Sequence, residues 1–172
     1  MTCKICNSPT EPTESYSGAI RDGKWGTFLD PVQIHRCGNC GVQRLPERLF
    51  KTAEYYTSGE YDRQVREPIT DYSPYQRHLD VVERKCTHRD SLLDVGGGLG
   101  AFSEIANDIF EVVAGYDVGE ECPIMHPSVV TSFNVIEHVE DPLLFMRQIF
   151  DILPPGGEVV ICTRTVIISS WN

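Results

Sequence analysis

Apolar and polar positions in the second half of the chain predict a sheet of buried strands joined by amphipathic helices. Leu79, Val82 and Cys86 recur at helical spacing, which predicts a helix with Ser73 as its N-cap and Pro74 as its first residue. Four short apolar runs have the length of strands rather than helices. They predict buried strands at residues 91–95, 111–117, 129–134 and 158–162.

Two more helices are expected between these strands. One covers residues 101–106, and the other begins at Asp141-Pro142 with an N-cap and a first-turn proline. The inner face of the second helix is expected to carry Phe145, Ile149 and Ile152. Residues 118–128 are too few for both a helix and a further strand, so they are expected to cross the sheet as loop. This order of elements predicts an α/β fold with a parallel sheet.

The first 72 residues have a different pattern. Residues 32–35 alternate like a strand that leads into a pair of cysteines, and residues 15–26 are rich in turn formers. Residues 46–72 resemble a linker with short helical turns, whose Tyr55 and Tyr56 are expected to pack against a neighbouring module. The predicted organisation is therefore a small module at 1–45, a linker at 46–72 and an α/β domain at 73–172.

The net charge of −10 is confined to one part of the chain. Residues 71–172 contain sixteen Asp and Glu against six Lys and Arg, whereas the charges of residues 1–70 cancel. An acidic surface repels phosphate backbones, which disfavours nucleic acid as a partner. No apolar run reaches the roughly 18 residues of a membrane helix, and the N-terminus lacks the pattern of a signal peptide. A cytoplasmic protein without membrane insertion is therefore expected.

Four of the seven cysteines form two Cys-x-x-Cys pairs, Cys3 with Cys6 and Cys37 with Cys40. Each pair can present two thiolates from one tight turn, and together they form the closed tetrahedral sulfur site that structural Zn²⁺ prefers. Gly41 suits the turn after the second pair. A redox role would be expected beside a βαβ pattern, and disulfides would need an oxidising compartment, so zinc is the favoured hypothesis. His35 is an alternative ligand, although a packing role is favoured for it.

A glycine-rich loop, Gly96-Gly97-Gly98-Leu99-Gly100, follows the first predicted strand. Glycines let the backbone turn sharply and let a ligand approach closely. Asp117 ends the next strand, 21 residues after Gly96, where an acid can accept hydrogen bonds from both ribose hydroxyls. Strand, glycine loop, helix, strand and acid together predict a nucleotide-binding βαβ unit.

Asp94 distinguishes between two classes of nucleotide ligand. The glycines also satisfy the spacing of a dinucleotide-binding loop, so a nicotinamide-dependent dehydrogenase is an alternative. An acid just before the glycines would repel a pyrophosphate, whereas it suits a cationic amino-acid tail. Asn134, Glu137 and His138 follow the third predicted strand at the same edge of the sheet. Glu137 and His138 are candidate general bases, with loop ordering and helix capping as their alternative role.

These motifs resemble a known family of two-module proteins, in which an N-terminal zinc ribbon precedes a class I S-adenosylmethionine-dependent methyltransferase domain with a Rossmann-like sheet. The matching segments are residues 3–6, 35–41, 93–100, 116–117, 133–139 and 153–157, with Tyr55-Tyr56 between them. The resemblance implies that Asp117 holds the ribose of S-adenosylmethionine and that Asn134 lies at the cofactor's edge. It implies that the methionine end is held by Asp94, Gly96, Gly97, Gly98 and Gly100. Small acceptors, including sugars and sugar nucleotides, are implied as substrates.

The chain departs from the family pattern in two places. Segment 118–128 leaves no room for the family's adenine-side elements, and the last elements of the family's sheet are expected to be missing after residue 162. A shortened domain would keep an exposed sheet edge and apolar residues such as Val166 to Ile168. Truncation, loss of activity, or cover by a second copy or a partner chain would each fit this pattern. The favoured hypothesis is a small-molecule methyltransferase, and the alternative is a catalytically inactive, zinc-binding interaction protein.

Overall fold

The computed structural model describes residues 1–16, 32–44, 71–117, 120–124 and 126–163. Within these ranges the chain forms a three-stranded sheet near its start and, further on, a four-stranded sheet with three helices. Tyr55 and Tyr56 of the predicted linker, and the predicted apolar edge at 166–168, lie outside the described residues.

The first sheet is antiparallel. β1 (Thr10–Tyr16) pairs with β2 (Val32–Cys37), which pairs in turn with the short β3 (Gln43–Arg44). The strand predicted to lead into the second cysteine pair is confirmed as β2. The turn predicted to begin at Ser15 is wrong at its first two residues, because Ser15 and Tyr16 still pair with β2. Pairing along the ladder outweighs the turn preference of serine here.

The second sheet is parallel, with strand order β5-β4-β6-β7. Its strands are β4 (Ser91–Val95), β5 (Val112–Tyr116), β6 (Val129–Phe133) and β7 (Glu158–Cys162). Its helices are α1 (Ser73–Lys85), α2 (Ala101–Ala106) and α3 (Pro142–Ile152). The predicted Rossmann-like α/β sheet is thus confirmed, with shifts of one residue at the ends of β5 and β6. The described part of segment 118–128 contains neither helix nor strand, as its length predicts.

Helices cover both faces of this sheet. Leu92 of β4 packs in a cluster with Val82 of α1 and Phe102 of α2. Leu93, which points to the opposite face, packs in a second cluster with Ile149 of α3. The three residues predicted on the inner face of α3 are confirmed by this second cluster, which includes Phe145, Ile149 and Ile152. No helix in the described part of the chain is long and apolar enough to span a membrane.

The two longer helices begin in different ways. Asp141 is the N-cap of α3, as predicted, and its carboxylate accepts hydrogen bonds of 3.1 and 3.0 Å from two N–H groups of the first turn. The assignment of Ser73 as the N-cap of α1 is wrong, because Tyr72 occupies that position and Ser73 is already helical. Asp71 accounts for the difference, since its carboxylate accepts a 2.9 Å hydrogen bond from the N–H of Ser73.

Side-chain hydrogen bonds tie the strands together at the amino end of the sheet. Ser128 donates its N–H to Ser91 Oγ at 2.9 Å and its Oγ to the Ser91 carbonyl at 2.8 Å. The Glu158 carboxylate accepts hydrogen bonds from the N–H of Thr87 at 2.8 Å, from Thr87 Oγ1 at 3.0 Å and from the N–H of His88 at 3.1 Å. These bonds connect the loop before β4 to the starts of β6 and β7.

Candidate cofactor site and metal centre

The glycine loop closes over the carboxyl end of β4. Gly96 has a φ of +76°, and its N–H donates a 2.9 Å hydrogen bond to the carbonyl of Tyr116 at the end of β5. A Cβ at Gly96 would overlap the side chain of Val135, so glycine lets the loop after β6 pack against this turn. On the other side, a Cβ at Gly98 or Gly100 would meet no described atom within 4 Å. The loop is therefore packed on one side and open to a ligand on the other.

Asp94 lies beneath the glycine loop. Its side chain is 2% exposed, and its Oδ1 accepts a 2.9 Å hydrogen bond from Thr131 Oγ1. Its Oδ2 would be 2.9 Å from a Cβ at position 97, so Gly97 gives the carboxylate room under the loop. Burial raises the pKa of Asp94, the Thr131 hydroxyl lowers it, the charge of Asp117 raises it and the Ser103 hydroxyl lowers it, and the net result is a pKa of about 6.

Asp117 stands close to Asp94 at the carboxyl edge of the sheet. β4 and β5 run in parallel, and Asp94 is paired with Gly115, two residues before Asp117. The N–H of Asp117 donates to Glu120 Oε2 at 2.7 Å, and the N–H of Glu120 donates to the Asp117 carbonyl at 3.1 Å. These two bonds fix the backbone of Asp117. The structure therefore brings together the two acids that the sequence predicts, close enough for their charges to repel.

Asn134, Glu137 and His138 lie in the loop that follows β6. Asn134 has a φ of +57°, a conformation that asparagine adopts more readily than most residues, and its N–H donates a 2.8 Å hydrogen bond to the last carbonyl of β7. His138 is exposed and donates its N–H to the carbonyl of Val135, while Glu137 is half-buried. Because Val135 packs against Gly96, this loop lies against the packed side of the glycine turn. The role of Glu137 or His138 as general base stays a prediction.

The sequence patterns do not single out Thr131 or Glu120. Thr131 donates a hydrogen bond to the Asp94 carboxylate, and the Glu120 carboxylate accepts one from the N–H of Asp117. Thr131 is fully buried and is the register neighbour of Asp94 across β4 and β6. A polar residue inside a buried strand needs a hydrogen-bond partner, and that signal could have pointed to Thr131. Glu120 is an exposed residue in a charged stretch and leaves no comparable signal.

The four predicted zinc ligands come together in one cluster. Their sulfur atoms all lie within 4.8 Å of one another, with 3.6 Å between Cys3 and Cys40 and 3.4 Å between Cys6 and Cys37. Four sulfurs placed about 2.3 Å from a tetrahedral Zn²⁺ would be about 3.8 Å apart, so the spacing fits zinc. A site with four sulfur ligands has no open position, which suits a structural ion. His35 does not join the cluster.

Both cysteine pairs use the same turn. The N–H of Asn7 donates to the carbonyl of Cys3, and the N–H of Gly41 donates to the carbonyl of Cys37, each at 3.0 Å. Asn7 and Gly41 have φ values of +56° and +76°. Gly41 therefore occupies the predicted turn, and Asn7 is its unpredicted equivalent in the first pair.

The sulfur atoms also affect one another's ionisation. Hydrogen bonds with the side chain and backbone of Ser8 lower the pKa of Cys6 to about 5. The N–H of Val42 lowers the pKa of Cys40, but burial and the neighbouring thiols outweigh it and raise that pKa to about 12. Four thiolates this close repel one another, and a divalent cation among them would remove that repulsion.

Taken together, the parallel sheet and the glycine loop define an α/β domain of the Rossmann-like class. A sequence model of the methyltransferase domain family matches residues 59–169, and the chain belongs to that family. A probable S-adenosylmethionine-dependent methyltransferase of Mycolicibacterium smegmatis (strain ATCC 700084 / mc(2)155) is 30% identical over 115 residues. The match covers 52% of this chain and 44% of the relative, so the chain spans less than half of that protein's length. The family resemblance expected from the motifs is thereby confirmed.

Proposed function

We propose that this protein binds S-adenosylmethionine at the carboxyl ends of β4 and β5 and transfers its methyl group to a small molecule. The observation that carries the proposal is the placement of Asp94 and Asp117 around an open glycine loop. Two acids that repel each other favour a ligand with a cationic tail and a ribose, because the cation offsets the repulsion and ribose hydroxyls can donate hydrogen bonds to a carboxylate. Membership of the methyltransferase domain family and the described relative support the same cofactor.

The protein's contribution in this proposal is binding and orientation. S-adenosylmethionine supplies a methyl group on a positively charged sulfur, which is already reactive towards a nucleophile. Asp117 accepts hydrogen bonds from the ribose, and the glycine loop and Asp94 receive the methionine end. Asn134 borders the cofactor, and Glu137 or His138 removes a proton from the acceptor. Holding the acceptor in line with the methyl group then provides the rate enhancement.

The acceptor is proposed to be a small molecule rather than a nucleic acid. Residues 71–172 carry the whole net charge of −10, and such a surface repels long phosphate backbones. Sugars and sugar nucleotides are the first classes to test, since the sequence motifs resemble those of enzymes that methylate them.

Calorimetry with S-adenosylhomocysteine tests cofactor binding directly. The wild-type protein is expected to bind, and Asp117→Asn should weaken binding about tenfold, because a charged acceptor for hydrogen bonds is lost. Asp151→Asn is the matched control, since Asp151 is an exposed residue near the end of α3. A well-folded wild-type protein that gives no binding signal would refute the proposal.

Formation of S-adenosylhomocysteine from S-adenosylmethionine, measured against a panel of sugars and sugar nucleotides, tests the reaction. Turnover with one acceptor, reduced by Asp117→Asn, is the expected result. Cofactor binding without turnover on any acceptor would instead support the inactive interaction protein.

We also propose that Cys3, Cys6, Cys37 and Cys40 hold one structural Zn²⁺. Elemental analysis of the purified protein should find close to one zinc per chain, and Cys6→Ser should reduce that content. Cys86→Ser is the matched control, because Cys86 is buried in the other sheet's core. Zinc content near zero in folded wild-type protein would contradict this assignment.

A further inference from the structure

We propose that Thr131 is a positioning residue of the cofactor site, whose hydroxyl holds the Asp94 carboxylate so that its second oxygen stays under the glycine loop. The inference rests on the proposed function, because it concerns how the amino-acid end of S-adenosylmethionine is received. It adds a residue inside β6 to a site that the motifs place at the ends of β4 and β5 and in the loop after β6.

The geometry of the pair is well defined. Thr131 Oγ1 donates to Asp94 Oδ1 at 2.9 Å, and the two residues are neighbours in the parallel register of β4 and β6. Thr131 is 0% exposed and Asp94 is 2% exposed, so bulk water is largely excluded from orienting the carboxylate. Because Oδ1 is engaged by Thr131, Oδ2 is the oxygen directed at Gly97, where a Cβ would be only 2.9 Å away.

A carboxylate in this place is costly unless a ligand interacts with it. Burial disfavours its charge, and the charge of Asp117 on the neighbouring strand end disfavours it further. A hydrogen-bonded polar pair in a core contributes little net stability compared with a well-packed apolar pair. A cationic group bound at the glycine loop would offset both unfavourable effects, which gives the pair a role beyond packing.

Two nucleoside ligands separate this role from a general effect on the fold. S-adenosylhomocysteine carries the amino-acid tail, whereas 5′-methylthioadenosine has the same thioether nucleoside without it. Thr131→Val should lower the affinity for S-adenosylhomocysteine about tenfold and change the affinity for 5′-methylthioadenosine less than twofold. Only the first ligand has the amino-acid tail that would interact with Asp94. Thr131→Ser restores the hydroxyl and should restore affinity. Ser132→Ala, at a buried position on the opposite face of β6, is the matched control.

A double-variant cycle and a pH profile show whether Thr131 acts through Asp94. In an Asp94→Ala background, which removes the acceptor of the Thr131 hydroxyl, Thr131→Val should have no further effect on S-adenosylhomocysteine affinity. In the wild type, affinity should fall as the pH drops through about 6, because Asp94 becomes protonated. The Thr131 hydroxyl lowers the pKa of Asp94, so in Thr131→Val this fall should move to higher pH. Asp117 is the charged group that faces Asp94 from the end of β5. It is present in both proteins, so its effect on the pKa of Asp94 cancels when the two pH profiles are compared.

The outcomes separate this inference from the proposed function. Failure of the folded wild type to bind either ligand would overturn the proposed function. Binding by the wild type, with both ligands weakened equally by Thr131→Val or with an unchanged pH profile, would overturn the role of Thr131 alone. Should Thr131→Val fail to fold, the hydroxyl proton of Thr131 in wild-type protein provides the test by nuclear magnetic resonance. Its resonance should move with S-adenosylhomocysteine and not with 5′-methylthioadenosine, and an equal response to both would count against the inference.

Discussion

Replacing Glu158 should loosen the amino end of the parallel sheet. Its carboxylate accepts hydrogen bonds from the N–H and Oγ1 of Thr87 and the N–H of His88, at 2.8, 3.0 and 3.1 Å. A hydrogen bond to a charged group contributes about 1.5–3 kcal/mol when it is buried, and the partial exposure of this group reduces the sum of all three to about 2 kcal/mol. We therefore expect Glu158→Ala to lower the free energy of unfolding by about 2 kcal/mol. Glu158→Gln, which keeps one acceptor oxygen, should lower it by about 1 kcal/mol.

The pH dependence gives this prediction a second, independent readout. Partial burial raises the pKa of Glu158, but hydrogen bonds from His88 and Thr87 outweigh it and leave the pKa below its usual value. A lowered folded-state pKa contributes stability above the unfolded value of about 4.3, and that contribution is lost as the pH falls through the folded value. The difference between wild type and Glu158→Gln should therefore shrink in acid.

Urea denaturation at pH 7 and at successively lower pH measures both effects. Glu83→Gln is the matched control, because Glu83 is an exposed glutamate of α1 and its substitution should change stability by less than about 0.5 kcal/mol. The reasoning would be refuted by equal stabilities of wild type and Glu158→Ala at pH 7. It would also be refuted if the gap between wild type and Glu158→Gln stayed constant down to the acid limb.

Three further substitutions or treatments follow from the geometry. Gly96→Ala should lower the melting temperature more than Gly98→Ala. Each alanine destabilises the fold by about 1–2 kcal/mol at a positive φ, but only the one at position 96 also overlaps Val135 in the loop after β6. Equal decreases in melting temperature would contradict the packing argument. Asp141→Ala should lower the free energy of unfolding, measured in urea, by about 1 kcal/mol. Asp141→Asn should lower it much less, because asparagine can still cap the helix. An alanine variant as stable as the wild type would show that the cap contributes nothing. A strong chelator should reduce hydrogen-exchange protection of β1 and β2, and unchanged protection after the metal is removed would argue against a structural ion.

The parallel sheet could be predicted because its strands are short apolar runs bounded by strong loop signals. β4 and β7 have the predicted bounds, and the first residues of α2 and α3 agree as well. β1 could not be predicted in the same way, since its seven residues, TEPTESY, contain few strand formers. It becomes a strand through pairing with β2, whose partner residues are distant in sequence.

The candidate site was predictable to the extent that it depends on local spacing. The glycine loop and Asp117 follow from their order along the chain, and the structure places them as expected at the sheet edge. The contact between Thr131 and Asp94 joins residues 37 positions apart, and it depends on the strand order and register of β4 and β6. The burial of Asp94 under Gly97 likewise depends on how the loop folds back.

The serine and glutamate bonds at the starts of β4, β6 and β7 have a consequence for how this domain can evolve. A five-residue strand separates these bonds from the carboxyl end of the sheet by roughly 13–17 Å. At that distance the effects of two substitutions on the free energy of unfolding usually add. Changes that reinforce the amino end of the sheet can thus compensate for destabilising changes in the loops at its carboxyl end. The loops at the carboxyl end of the sheet can therefore vary in sequence while the hydrogen bonds at the amino end keep the domain stable.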